Sequence, residues 1–162
     1  MTAGSGIVHA EISPSEFRRD GGPLEILQLW INLPSRLKMS EPRYVGLQQE
    51  EIPAITLPGG GELRLIAGQW LEQAAPITSL TGIFMSTLRL PSGVSEQLPV
   101  AVGRQVFLYV VSGDVTIGGE PVKPHHLIEL DRDGDSIDIE ASSDAHLLFG
   151  HGDVIDETVY SH

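Results

Sequence analysis

Two side chains near the start of the chain, His9 and Glu11, have the types and spacing to do chemistry. They are separated by one residue within the apolar segment GIVHAEIS, residues 6–13. On a β-strand, residues i and i+2 point to the same face, about 6.6 Å apart along the chain. An imidazole and a carboxylate presented this way can supply two ligands of a site of the His/carboxylate type that holds non-haem iron. A metal held there would activate a substrate oxygen. Two ligands fall short of a full set, so the whereabouts of the others becomes the question. The alternative is a His and a Glu exposed on a strand, and within this chain alone that simpler reading is preferred.

No other grouping completes the set. The remaining histidines are His125, His126, His146, His151 and His162. His125 and His126 are adjacent and point to opposite strand faces, as do His146 and His151, five residues apart. They are expected at strand ends and on the surface. Asp131, Asp133 and Asp135 resemble the start of a calcium loop. The EF-hand form, however, places its glycine sixth and its glutamate twelfth. Counted from Asp131, Gly134 is fourth and Ser142 is twelfth, so a solvated acidic turn is expected. Gly4-Ser5-Gly6 is too short for a phosphate loop and precedes no helix. Ser5 has no base nearby in sequence to make it a nucleophile.

The elements that must position His9 and Glu11 read as β-structure. Residues 6–13 form one expected strand. Pro14-Ser15-Glu16 starts a turn, and residues 18–23 form a loop. LEILQLWINL, residues 24–33, is an apolar run suited to a strand covered on both faces, with Trp30 in a core. Pro34–Pro58 holds four prolines and reads as a linker, with room for one helical turn before Pro42. From there the chain looks wholly β. A hairpin turns at Pro58-Gly59-Gly60-Gly61. Strands follow at 83–90, 102–111, 125–130, 136–141 and 145–150, with DVTIGG after the turn at Ser112-Gly113-Asp114. Trp70 is expected in a loop, lining an interface. About eight short strands with turns between them argue for a β-sandwich or barrel.

Composition narrows the function classes. The chain has 162 residues, is 41% hydrophobic and only 20% charged, which marks a globular protein. No cysteine is present, which removes disulfides, thiolate zinc sites and cysteine nucleophiles. Twenty-two acidic residues against 10 basic ones give a formal charge of −12. That balance disfavours a nucleic-acid surface, where Lys and Arg must replace counterions. The one basic cluster, Arg36, Lys38 and Arg43, is interrupted by Glu41. No apolar run approaches about 20 residues, so no membrane span is expected. No signal peptide is recognisable at the N-terminus, and a cytoplasmic protein is expected.

Three segments go beyond pattern. TAGSGIVHAE (2–11), LQLWINLP (27–34) and KMSEPRY (38–44) resemble the central part of the pirin family in order and spacing. FLYVVSGDVTIGG (107–119) resembles that family's second lobe. The resemblance implies an all-β fold of cupin-type jelly rolls: a C-terminal cupin at 59–152, preceded by a partial cupin lobe whose remnant strands occupy 1–33. The linker is then 34–58 and a tail covers 153–162. The family's first lobe binds one transition metal, commonly iron, through an upstream His-x-His pair followed by a His and a Glu. His9 and Glu11 match those last two positions, and the upstream pair has no match here. The second lobe is expected to be metal-free.

Two functions stay open. One is a non-catalytic cupin binding a protein or small ligand. The other is an iron-dependent dioxygenase of quercetin 2,3-dioxygenase type in a longer form. Iron or another divalent transition metal is the implied cofactor if the missing ligands are supplied. The uncovered apolar strands of 6–33 imply a homo-oligomer built through them.

Overall fold

The computed structural model describes residues 1–158; His162 and the last part of the expected tail lie outside them. The chain forms two compact units, one of Met1–Val45 with the chain from Glu157, the other of Gly46–Asp156. The boundary falls inside the segment 34–58 expected as a linker.

The first unit differs from the expected pair of strands. Residues 6–13 and 24–33 join no ladder. A strand needs a neighbour to pair its N–H and C=O groups, and neither stretch pairs with another described segment. Apolar side chains lie open as a result: Val8, Ile12, Leu24 and Ile26 are exposed, and Trp30, expected in a core, is 86% exposed. Between the two stretches, where a turn and loop were expected, α1 (Ser15–Asp20) forms. Its first turn carries Glu16 and its last Arg18 and Arg19, each matching the helix dipole. It stops at Gly21 (φ +68°), whose N–H donates to the Phe17 carbonyl at 2.9 Å. The helical turn expected before Pro42 is present as a short 3₁₀ turn, Ser35–Leu37. The Glu157 carboxylate accepts from the Ser35 N–H at 2.8 Å and its hydroxyl at 3.1 Å, capping that turn.

The second unit is a β-sandwich. In chain order its strands are β1 (Ala54–Thr56), β2 (Glu62–Ala67), β3 (Gln69–Trp70), β4 (Gln73–Ala74), β5 (Phe84–Leu90) and β6 (Ser95–Pro99). There follow β7 (Gln105–Ser112), β8 (Val115–Ile117), β9 (Glu120–Val122), β10 (Leu127–Leu130), β11 (Ser136–Ala141) and β12 (Ala145–Gly152). A six-stranded sheet runs β1-β2-β5-β12-β7-β10 and a four-stranded sheet runs β6-β11-β8-β9. Strand pairing within both is antiparallel. Alternation places Leu63, Leu65, Leu88, Leu108, Leu147 and Phe149 of the larger sheet in the core. Leu98, Val115, Ile117, Ile137 and Ile139 of the smaller sheet share that core.

Three details depart from the expected pattern. Trp70 is in β3, not a loop, and is 7% exposed, with its ring 5.7 Å from that of Phe84. β9 contains Pro121, which is tolerated because β9 is an edge strand. β6 directs Glu96 inward at 6% exposure. The carboxylate accepts from the Gly61 N–H at 2.8 Å and the Gly59 N–H at 3.1 Å, tying the β1–β2 turn to β6. A Cβ on Gly59 would meet the Ser95 carbonyl oxygen at 2.1 Å, so the close approach requires glycine there.

Candidate functional site

His9 and Glu11 come together even without a strand ladder. His9 Nε2 lies 3.8 Å from Glu11 Oε1, with the side chains 40% and 70% exposed. Two donors that far apart lie within the span that two metal–ligand bonds of roughly 2.0–2.2 Å can bridge. The pair therefore fits half of a divalent-metal site. Among the described residues, no group of three or more His, Asp or Glu side chains could hold a metal ion.

An anchor precedes the pair, and a short helix follows it. Before it, Ala3–Gly6 closes as a turn, with the Gly6 N–H on the Ala3 carbonyl at 2.9 Å. That turn is bonded to the segment around Ser40–Arg43. Thr2 and Arg43 exchange backbone bonds of 2.7 and 2.9 Å, and the Ser5 N–H reaches the Ser40 carbonyl at 2.9 Å. After the pair, α1 begins at Ser15.

Among the described residues, the other histidines do not join it into a larger group. His126 Nδ1 lies 3.0 Å from the Pro124 carbonyl, a local turn contact, and His125 takes a left-handed φ of +64° beside it. Asp131, Asp133 and Asp135 are exposed. The backbone carbonyls of Arg132 and Asp135 accept from Gly103 and Val100 at 2.8 and 2.9 Å. This is the acidic turn expected from sequence.

A second arrangement was not anticipated. It lies in the second unit, at the end of β12. The His151 ring stacks on Phe84 with centroids 4.6 Å apart and planes 8° apart. Its Nδ1 accepts from Arg104 Nε at 2.7 Å. The same guanidinium donates to Asp153 Oδ1 at 2.8 Å and to the Gly82 carbonyl at 2.6 Å. Burial pushes the His151 imidazole down from 6.5 to about 4; the Arg104 charge adds to this and Asp153 opposes it. The ring is neutral at ordinary pH, with its proton on Nε2. Arg104 and His151 are 47 residues apart, and only the pairing of β7 with β12 joins them: His151 opposes Val106 and Gly152 opposes Gln105. No local sequence signal marks such a contact. Each of the three guanidinium nitrogens of Arg104 donates to the protein itself, so the array acts as a strut.

No helix among the described residues is long and apolar enough to cross a membrane. Residues 85–162 match the model of the pirin C-terminal cupin domain. A Pseudomonas aeruginosa protein provisionally named quercetin 2,3-dioxygenase is 38% identical over 160 residues, covering 98% of this chain and 56% of that protein. Human pirin is 35% identical over 168 residues, covering 100% of this chain and 56% of its own length. Among solved structures, a quercetin 2,3-dioxygenase from Acinetobacter baumannii matches with a TM-score of 0.78 at 26% identity, over 82% of this chain and 47% of that one. The chain thus spans about half the length of the relatives it matches. The chain belongs to the pirin family, and its β-sandwich is a cupin.

Proposed function

We propose that this chain works as a pirin-type cupin that binds a protein or small ligand and is not a self-sufficient catalyst. In this reading His9 and Glu11 are half of a divalent transition-metal site. The observation that carries it is the 3.8 Å approach of His9 Nε2 to Glu11 Oε1, with no third donor grouped with them among the described residues. Iron or a similar ion, when bound, supplies Lewis-acid activation of a substrate oxygen. The chain's own contribution is one imidazole and one carboxylate. The four-ligand set that the family resemblance implies needs two more histidines.

Anaerobic equilibrium dialysis against Fe(II) tests the reading. Weak binding, less than one ion per chain and lost in His9→Ala, is the expected result. Tight stoichiometric iron that disappears in His9→Ala, with oxygen uptake in the presence of quercetin, would overturn it.

The second reading is an iron-dependent dioxygenase of quercetin 2,3-dioxygenase type in a longer form. Its support is specific: the Pseudomonas and Acinetobacter proteins carry that activity in their names, and this chain spans 56% and 47% of them. The remaining length of such proteins has room for further ligands. The apolar run around Leu24, Ile26 and Trp30 is exposed. We assign it to contact with a second copy of the chain, packed about a two-fold axis.

A further inference from the structure

We propose that the Ala3–Gly6 turn and the Ser40–Arg43 segment form a backbone clasp that positions His9 and Glu11, with Gly4 as its indispensable residue. The inference rests on the half-site reading for its metal arm and on geometry alone for the rest.

Both partners of the clasp belong to segments singled out in the sequence for their resemblance, TAGSGIVHAE and KMSEPRY, and the clasp residues themselves carry no chemical group of the candidate site. Three backbone bonds join them: Thr2 N–H to Arg43 O at 2.7 Å, Arg43 N–H to Thr2 O at 2.9 Å, and Ser5 N–H to Ser40 O at 2.9 Å. Gly4 sits at the point of closest approach. Its φ of +52° is in the left-handed region. A Cβ there would meet the Ser40 carbonyl oxygen at 2.1 Å and the carbonyl carbon at 2.9 Å. Both atoms are backbone and cannot rotate away. Two independent requirements, conformation and space, therefore exclude any side chain.

The Ser40 hydroxyl makes the contrast. It is enclosed and has no hydrogen-bond partner, so the clasp owes nothing to it. The bonds come from the main chain, and the small residues let the main chains approach.

His9 follows four residues after Ser5. Residues 7–14 have no ladder bonds of their own, so their path is set by what holds their ends. The clasp holds the end nearer His9, and α1 begins where the stretch ends. Groups hydrogen-bonded directly to metal ligands change affinity by about 10–100-fold when lost; the clasp acts through the main chain, and its loss is expected at the low end of that range.

The test compares the whole chain with Gly4→Ala, Ser40→Ala and Thr2→Pro. Thr2→Pro removes one clasp donor and leaves the turn intact, which covers the case of a Gly4 variant that folds poorly. Amide exchange at Ser5 and Arg43 reports the clasp. The nuclear Overhauser contact between the His9 ring and the Glu11 side chain reports the pair, and Co(II) titration of the His9 resonances reports the half-site. In Gly4→Ala, protection and contact are lost and Co(II) binding weakens about tenfold. Thr2→Pro falls between, and Ser40→Ala matches the parent chain.

If Gly4→Ala and Thr2→Pro lose protection while the His9–Glu11 contact persists, the clasp does not position the pair and the proposal fails. Retained protection in Gly4→Ala overturns it as well. A parent chain whose His9 resonances ignore Co(II) sinks the half-site reading instead, and the Overhauser contact still decides the clasp.

Discussion

The strut around His151 predicts how acid weakens the cupin. The imidazole's value falls from 6.5 to about 4 in the fold, through burial first and the Arg104 charge second. Above pH 6.5 neither the folded nor the unfolded chain protonates His151, and the neutral ring's contribution is fully present. Between 6.5 and about 4 the unfolded chain takes up a proton that the folded chain refuses, so stability falls as pH falls. Below about 4 both states are protonated and this loss stops growing. The gap of about 2.5 between these values corresponds to roughly 3.5 kcal/mol at about 1.4 kcal/mol per pH unit. The ring is partly open to solvent, so screening reduces this to about 1–2 kcal/mol. The comparison is with His151→Asn, whose Oδ1 can accept from Arg104 Nε in place of Nδ1 and does not titrate. Urea unfolding of both proteins at pH 7.5 and 4.5 cancels the carboxylates that titrate in each. The parent protein should lose about 1–2 kcal/mol more than His151→Asn over that interval. Superimposable pH profiles would refute the reasoning, as would a His151 ring resonance that titrates near 6.5 in the folded protein.

Other perturbations test separate parts of the fold. Glu96→Ala leaves the buried Gly61 N–H and the part-buried Gly59 N–H without their acceptor, and urea unfolding should show a loss of about 1–3 kcal/mol. A change below about 0.5 kcal/mol would mean water satisfies both donors. Gly113→Ala puts a Cβ 2.4 Å from the Asp144 carbonyl oxygen at a φ of +84°. It should lower thermal stability by about 1–3 kcal/mol, and a neutral result would contradict the tight β7–β8 turn. In sedimentation, the parent chain should run as a dimer or larger species, and a Leu24→Ser/Trp30→Ser double variant as a monomer. A parent chain that stays monomeric at high concentration removes the self-association proposal.

What was legible in the sequence and what was not divides along a physical line. β2, β5, β7, β11 and β12 were legible because their own residues alternate and glycine or proline marks their ends. β6 was not, because its inward position holds Glu96. An acidic residue hides the alternation, and what makes its burial tolerable is a pair of N–H groups 35 and 37 residues away. Trp70 failed for a related reason: GQWLEQAAP has turn-like composition, and packing against Phe84 and the rest of the sandwich core makes its indole a core group. The run 24–33 failed in the opposite direction. Its apolarity records a need for cover, which periodicity converts into a strand, yet Trp30 is left 86% exposed. Local sequence reports what a segment requires and is silent on which partner meets the requirement.

The candidate site follows the same logic. His9 and Glu11 were legible because i, i+2 spacing is local, and their 3.8 Å approach needs no distant partner. The Arg104–His151 contact was illegible because it depends on the β7–β12 register. The two units consequently separate chemistry from stability. The second unit buries its apolar side chains and supplies the cooperative core that urea or heat will report. The first carries the donor pair, and its path is held by backbone bonds at Thr2, Ser5 and Arg43. Changes at Glu96, Gly113 or His151 should therefore move unfolding midpoints and leave Co(II) binding at His9 alone. Changes at Gly4 should do the reverse. A Gly4 variant that shifted the main unfolding transition as strongly as Glu96→Ala would break this separation, since it would mean that the donor pair's support is part of the cupin core.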